Sequence, residues 1–452
     1  MLLENLDSIA VIGGIAPAGK DRLYARAWKR KAGVLDPVLT LALREGVCLT
    51  ALPEAYLAGS TNLVDAPLTS SIDLSAPLRV PDISSLKVQG PKPASKKQIA
   101  MAESLLSEQS GVFGALSEMA GEDQYLQHLN RGVAQSMVMA KAPSTFNKYE
   151  PLVLKWQVFA ARYGQGAPAF PANCALFVLY LQQLKNVAVS RGTKGSAVSD
   201  TVFAVDYAHR MRGLELPGKY EPVRLLCTAT RRFLARPVVK KRPVKKTEVV
   251  KMLDHAVPDF ENIDLDGVRA ALFAVLAFCL EARYDDLCDL RLSSFFDYGD
   301  YFVVYIEHRK TDQYREGQFV PVYDNGDPRG ACAFLRAVLP VLGLGSLKDN
   351  LTVFRRIGHG KICGVYMRDQ SLSYSRVREL VRELLEAIGL NPNAHGLHSF
   401  RAGAATHAAN QPGISVEQWG KHGGWVNGSS AQTGYVLDSA QNAMVVPQAL
   451  AL

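Results

Sequence analysis

The sequence predicts a mainly α-helical protein with one small β-sheet, split into a helical bundle and a mixed α+β domain. Three observations predict this. Apolar residues recur at three- and four-residue steps between Pro143 and Leu234, and again in Gly267–Asp289 and Leu372–Ile388. Two short alternating segments, Tyr301–Glu307 and Gly317–Val322, flank the turn His308–Glu316 as a hairpin does. Between the helical parts lies Arg236-Pro-Val-Val-Lys240-Lys241-Arg242-Pro-Val-Lys245-Lys246, in which two prolines oppose regular structure.

A chain of 452 residues is long enough for two or three domains with cores of their own. Apolar residues at 48% and charged residues at 21% are an ordinary globular balance. The net charge of +8 favours an anionic partner, nucleic acid before membrane. Seven cysteines (Cys48, Cys174, Cys227, Cys279, Cys288, Cys332 and Cys363) are scattered, without a C-x-x-C pair. Neither a disulfide framework nor a zinc ribbon is indicated, and the thiols fit a reducing compartment. No apolar run approaches the ~18 residues needed to cross a bilayer. Acidic Glu4 and Asp7 precede the apolar patch Ile9–Ile15, the reverse of a signal peptide's charge order. The expectation is a soluble intracellular protein, in the cytoplasm or nucleoid of a prokaryote or the nucleus of a eukaryote.

Residues 1–141 are expected to form a partly disordered extension. Tyr24–Arg44 has some helical periodicity, Pro53–Pro93 is rich in Pro, Ser and Thr, and Lys97–Leu116 reads as a further helix. From residue 142 to 235 four amphipathic helices are expected. The first is capped by Ser144 and runs through Trp156 and Phe159. Pro171 opens the second, which carries Phe177 and Leu181; Val198–Leu214 and Pro222–Leu234 complete the set. The run 236–246 reads as a solvated hinge, or as a linker laying Lys240, Lys241, Arg242, Lys245 and Lys246 on a phosphate backbone, or as a nuclear-import signal. From 247 to 452 the expectation is helices plus the hairpin: one long helix over Gly267–Asp289, then Leu372–Ile388, Ser399–Ala409 and Val416–Lys421. There is no internal repeat.

Chemistry concentrates in the last part. His398 and Arg401 stand three residues apart, on one face of a helix. A guanidinium is a rigid fork for paired phosphate oxygens, and an imidazole moves protons near neutral pH. Arg283 falls on the apolar stripe of Leu272, Leu276, Cys279, Leu280 and Leu287. A buried guanidinium needs an anion, supplied either by Asp286 within the protein or by a bound phosphate with Asp286 steering from behind. Lys310 sits in the hairpin turn, either simply solvated or placed to protonate a leaving oxygen as general acid. Trp425 follows Gly423-Gly424 and offers a donor-only indole N–H; it could equally be a core aromatic, with His422 as the alternative donor. Tyr435 could attack phosphorus if a cationic pocket stabilises its phenolate, since a free phenol has a pKa of ~10. A metal site built from His395, His398, His407 and His422 competes, but no Cys or carboxylate stands at ligand spacing around them, and no metal or other cofactor is expected.

In this order, Arg283, Lys310, His398-x-x-Arg401, Trp425 and Tyr435 resemble the tyrosine recombinase (phage integrase) family. Glu281-Ala-Arg283-Tyr-Asp-Asp286 resembles the strip around its first arginine, and Arg309-Lys310-Thr311 the hairpin with its lysine. Gly396-Leu-His398-Ser-Phe-Arg401-Ala-Gly and Gly423-Gly-Trp425 are similar to the Cre-like form of the later boxes. Tyr435-Val-Leu-Asp-Ser resembles the nucleophile strip. The likeness spans roughly Pro143–Val446. Two departures stand out: Trp425 and Tyr435 are 435 − 425 = 10 apart, one more than the family norm, and the first ~140 residues have no counterpart.

The resemblance implies a helical core-binding domain (142–235, SAM-like), a basic linker (236–246) and a catalytic domain (247–452) clamping double-stranded DNA, as a homotetramer on two sites. Tyr435 would form a 3′-phosphotyrosyl link and Arg283 and Arg401 would bind the scissile phosphate. His398 would act as acid or base, Lys310 would protonate the 5′-oxygen, and Trp425 would hydrogen-bond the phosphate. The expected function is therefore that of a site-specific recombinase or integrase of a phage or mobile element. A telomere resolvase or topoisomerase-like transesterase, and a catalytically silent DNA-binding protein, are the rivals.

Overall fold

The computed structural model describes residues 94–437 apart from 110, 238, 257–264, 313, 344–351 and 361–363, together with the isolated residues 78, 79, 81, 83, 444 and 448. Ile9–Ile15, Tyr24–Arg44, most of Pro53–Pro93, Cys48 and Cys363 lie outside the described residues. The chain divides into two compact units, Gln89–Val239 and Lys240–Leu452, the latter taking in the few described residues before Val88.

The first unit is all helical. It holds α1 (Lys96–Leu106), α2 (Gly111–Ala120), α3 (Gln124–Met139), α4 (Pro143–Tyr163), α5 (Cys174–Ser190), α6 (Ser196–Met211) and α7 (Glu221–Phe233). The last four are the expected bundle, built around Trp156, Phe177, Leu181, Val198, Val205 and Val223. Trp156 is fully buried yet satisfied, its indole N–H donating to the Ala169 carbonyl at 3.1 Å. The first three helices share a second core with this bundle: Leu105, Phe113, Ala134 and Val138 pack against Phe146, Tyr207 and Met211.

Two details differ from the sequence reading. The cap of α4 is Ala142, not Ser144, because Pro143 at the first helical position already has its φ set for the helix. Lys97–Leu116 is two helices, since Ser107 caps α1 and the Val112 N–H is spent on the Arg212 carbonyl at 3.1 Å.

The second unit begins within the basic run, at Lys240, and continues into α8 (Lys246–Ala256). Its centre is α9 (Leu265–Cys279), in which every residue from Ala270 to Ala277 is buried, so the helix is covered on all sides. Around it stand α11 (Ala331–Gly343), α12 (Tyr374–Ala387) and α13 (His398–Ala409), and Phe273 meets Phe354 and Phe400 edge-on. A three-stranded antiparallel sheet has the order β1 (Phe295–Asp297), β2 (Tyr301–Ile306), β3 (Gln318–Tyr323), with Val304 opposite Val320. A second antiparallel pair, β4 (Arg355–Gly360) and β5 (Gly364–Ser371), adds to the single sheet expected; its glycines and charges hide the strand pattern. The mainly helical class with small sheets holds.

The helix expected over Gly267–Asp289 is broken. It stops at Cys279, and a separate short α10 spans Tyr284–Leu287. Glu281 adopts φ +45°; its N–H bonds Phe278 O at 3.2 Å and that of Ala282 bonds Ala277 O at 3.2 Å. This is a Schellman C-cap, with glutamate where glycine is the usual occupant. Two further elements, α14 (Val416–His422) and α15 (Ser430–Tyr435), close the unit, each capped by a serine. Among the described residues no helix is long and apolar enough to cross a membrane.

Candidate active site

Breaking the helix at Glu281 takes Arg283 off the apolar stripe where the sequence reading placed it. Arg283 instead caps α10: its N–H donates to Asp286 Oδ2 at 2.9 Å. Its guanidinium turns back beside the same carboxylate, 3.8 Å away, and Nη1 is buried without a hydrogen-bond partner. Asp286 Oδ2 also lies 3.9 Å from Arg401 Nη1 and 4.0 Å from Arg309 Nη1. One buried carboxylate therefore serves three guanidiniums, which exceed it in charge.

Arg401 is the most deeply held of them, at 0% exposure. Phe400 is anchored in the core, so the next residue of α13 must point along the inner face of the site. Arg401 donates to the Glu281 carbonyl, and to that of Gly423 at 2.9 Å. Burial, then repulsion from Arg283 and Arg309, pulls its pKa down to about 9, so it stays charged at neutral pH. The guanidinium lies 3.7 Å from the Trp425 ring centroid and 5.5 Å from that of Tyr435.

Trp425 is 7% exposed and packs edge-on against Trp419, with ring centroids 5.4 Å apart. Its Nε1 is buried and has no partner. Gly423 and Gly424 make the approach possible: a Cβ on Gly423 would sit 1.9 Å from Trp425 Cζ3, and one on Gly424 2.7 Å from Arg309 Cδ. Tyr435 ends α15, half-buried, its ring 5.5 Å from Trp425 and 6.5 Å from His398 between centroids. The buried Gln432 fixes this helix by donating to Val416 O at 2.8 Å and accepting from Gly428 N at 3.0 Å. Ahead of it the chain turns at Gly428, with φ +69°, and Ser429 caps α15. Thr406 Oγ1 donates to the Tyr435 carbonyl at 3.4 Å and accepts from Leu437 N at 3.2 Å, tying both flanks to α13.

His398 opens α13 at the solvent side. Desolvation, then repulsion from Arg283 and Arg401, lowers its pKa, which leaves the ring neutral and able to accept a proton at pH 7. Lys310 is exposed in the β2–β3 turn, and its ammonium has no partner among the described residues. Its neighbours are fastened: Arg309 donates to Gly423 O at 2.8 Å and Leu280 O at 3.0 Å, and Thr311 Oγ1 to Gly424 O at 3.0 Å. The turn that carries the lysine is thus fastened to the Gly423–Gly424 backbone on both sides of it.

The structure accordingly brings together Arg283, Asp286, His398, Arg401, Trp425 and Tyr435, while Lys310 stands exposed in the β2–β3 turn without a contact to them. The alternative donor His422 is turned away, its Nε2 donating to Cys279 O at 2.8 Å. His395 and His407 engage Asn391 O and Gln411, and among the described residues no group of three or more His, Cys, Asp or Glu could hold a metal ion. Of the five basic-run residues, all exposed, Lys240 reaches Gly434 O at 3.5 Å and Lys241 reaches Asn393 O. Arg242 is held through its backbone, N–H to Ala394 O at 2.8 Å, while Lys245 and Lys246 lead into α8.

Two site residues escaped the sequence reading. Arg309 looked like one more surface charge, and nothing in its local pattern separates it from Lys310. Glu281 was legible only as the residue two before Arg283. It is 3% exposed, and burial pushes its carboxyl up to about 7 against the pull of Arg401 and Arg309.

No family model matches the chain, and no curated protein matches it in sequence. Several solved structures share part of its architecture. The XerH site-specific recombinase bound to a palindromic difH substrate, in a post-cleavage complex, has 13% identity and TM-score 0.44, over 78% of this chain and 92% of that one. A lambda integrase dimer bound to a COC′ core site has 17% identity and TM-score 0.41, over 75% and 87%. The Tn1549 transposon integrase in complex with circular intermediate DNA has 9% identity and TM-score 0.40, over 78% and 98%. At such scores and identities none of these likenesses assigns a function to the chain.

Proposed function

We propose that the chain is a DNA strand transferase of the tyrosine recombinase kind, cutting and rejoining duplex DNA through a 3′-phosphotyrosyl bond. The observation that supports this best is the set of buried donors without partners. Arg283 Nη1, Arg401 Nε and Trp425 Nε1 all lack an acceptor within the protein, in a pocket whose wall includes the ring of Tyr435. Buried donors left unpaired cost ~1–3 kcal/mol each, so their clustering fits a site built for an anion.

In this reading a phosphodiester lies between Arg283 and Arg401 and accepts from Trp425. Tyr435 Oη attacks phosphorus as its proton passes to His398. The P–O5′ bond breaks, and Lys310 gives a proton to the leaving 5′-oxygen. The phosphotyrosyl ester retains the energy of the broken bond, so a 5′-hydroxyl from another strand reverses the same steps without a nucleotide cofactor. Negative charge grows on the non-bridging oxygens in the pentacoordinate state, and pre-placed donors stabilise it there, each worth roughly 3–4 kcal/mol by analogy with oxyanion sites.

The finer assignments belong to the same proposal. Residues 142–235 serve as the core-binding domain and 247–452 as the catalytic domain, with residues 1–141 an extension whose helices from Lys96 to Met139 pack on the core-binding bundle. The basic run 236–246 lies on the phosphate backbone through Lys240, Lys241, Arg242, Lys245 and Lys246. The later boxes are of the Cre-like form, the working species is a homotetramer on two duplex sites, and the setting is an intracellular mobile element or phage. The test is covalent capture of labelled, nicked duplex by the wild-type chain and by Tyr435→Phe. Product topology on supercoiled and hairpin-forming DNA then separates strand exchange from relaxation or end resolution.

A further inference from the structure

The cap residue Glu281 presents an unusual set of properties for a helix terminus. Its backbone holds φ +45°, a conformation glutamate adopts at a cost, while its carbonyl accepts from both Arg401 and Arg309. Its side chain does not turn out to water. It folds inward under the Gly423–Trp425 turn, so close that a Cβ on Gly423 would lie 2.4 Å from Oε2. Oε2 is buried and has no hydrogen-bond partner. A glycine would satisfy the backbone here, so the buried acid is not explained by the turn.

We propose that Glu281 is a proton-exchanging positioning residue for the anion pocket: ionised, it balances Arg401 and Arg309 while the pocket is free, and it takes up one proton from solvent when a phosphodiester binds. The inference rests on the reading of this pocket as a phosphodiester site. Charge matching gives the reason. Three guanidiniums, Arg283, Arg309 and Arg401, face two carboxyls, Asp286 and Glu281. With Glu281 protonated, the three positive charges are met by Asp286 and the two negative charges of a pentacoordinate phosphorane. With Glu281 ionised, the pocket would be over-supplied with negative charge at the moment of reaction.

The neighbouring groups leave this titration legible. From α13, Arg401 and His398 face the pocket; from the β2–β3 turn, Arg309, with Lys310 next to it in sequence; from α10 and its cap, Asp286 and Arg283; from α15, Tyr435; His422 of α14 lies behind, its Nε2 bonded to Cys279 O. His398 and His422 both have lowered pKa values, chiefly from burial, so they are already neutral where Glu281 is changing state, at about 7. Bringing in an anion raises the Glu281 pKa further, which is the linkage that draws in the proton.

The experiment is calorimetric titration of the full chain with sulfate, an anion that does not itself titrate in this range, at pH 6, 7.5 and 8 in two buffers of different ionisation enthalpy. Wild type should take up a proton near pH 7.5, and its sulfate affinity should fall about tenfold between pH 6 and pH 8. Glu281→Gln should take up none and keep the wild-type pH 6 affinity at both values, and Glu281→Asp should restore the pH dependence. Arg283→Ala should abolish the sulfate signal, placing it in this pocket. Equal proton uptake in wild type and Glu281→Gln, or no sulfate binding by wild type, overturns the proposal. Neither result bears on whether Tyr435 becomes linked to DNA, so the two readings fail separately.

Discussion

The guanidinium carbon of Arg401 sits over the indole of Trp425, 3.7 Å from its centroid, while the indole Nε1 is buried without an acceptor. The stack fixes both groups, and it leaves the one polar atom of Trp425 to the pocket. Trp425→Phe should keep the stack and lose the donor. Single-turnover cleavage should slow by roughly 10²–10³-fold, the cost of one oxyanion donor, with duplex binding little changed. Trp425→His should recover part of the rate, because an imidazole can donate from a similar place. Equal rates for wild type and Trp425→Phe would remove this residue from the site.

The turn before Trp425 tolerates no side chain. Gly424 has φ +66°, and a Cβ there would press on Arg309 Cδ at 2.7 Å. Gly424→Ala should therefore lose stability by about 1–3 kcal/mol in urea titration and also slow cleavage, since Arg309 anchors the hairpin that carries Lys310. A variant as stable as wild type would show that the turn has slack.

Stability should depend on pH through Glu281. Its carboxyl is raised to about 7 in the folded chain from an ordinary 4.5, so the folded state binds the proton more tightly than the unfolded state does. Its contribution is fully present below pH 4.5 and is lost as pH rises through about 7. Glu281→Gln should match wild type near pH 4.5 and exceed it at pH 8, by up to roughly 3 kcal/mol. Denaturation midpoints at the two pH values measure this directly. A constant difference between the proteins at all pH values would contradict it.

His398 should set a second pH dependence, in cleavage rather than stability. Because desolvation and the two arginines lower its pKa, cleavage at saturating DNA should rise with pH to a plateau reached below the ordinary imidazole range. His398→Asn should be slow and lack that rise. An unchanged profile in the variant would transfer the proton-accepting role to another group.

Much of this was readable in the chain itself. The four helices from Pro143 to Phe233, the β2–β3 hairpin and the His398–Arg401 face all follow from periodicity, because each buries one side against a single core. The break after Cys279 did not, since its signal is a backbone conformation and the residue in it is glutamate rather than glycine. The strands β4 and β5 were hidden because glycine and charge interrupt their alternation. Arg309 shows the deeper limit. Its burial comes from carbonyls of Leu280 and Gly423, over a hundred residues away on one side, and no local pattern announces such a contact.

The central claim is that Tyr435 attacks phosphorus inside a cage of unpaired donors. The most direct measurement incubates the full chain with labelled nicked duplexes carrying a randomised core, and resolves the products under denaturing conditions. Peptide mapping of the shifted band then locates the linkage. Wild type should give a protein–DNA adduct on the peptide containing Tyr435, and Tyr435→Phe should bind duplex yet give none. An adduct that persists in Tyr435→Phe, one mapped to another residue, or no adduct from wild type across the pool would contradict it.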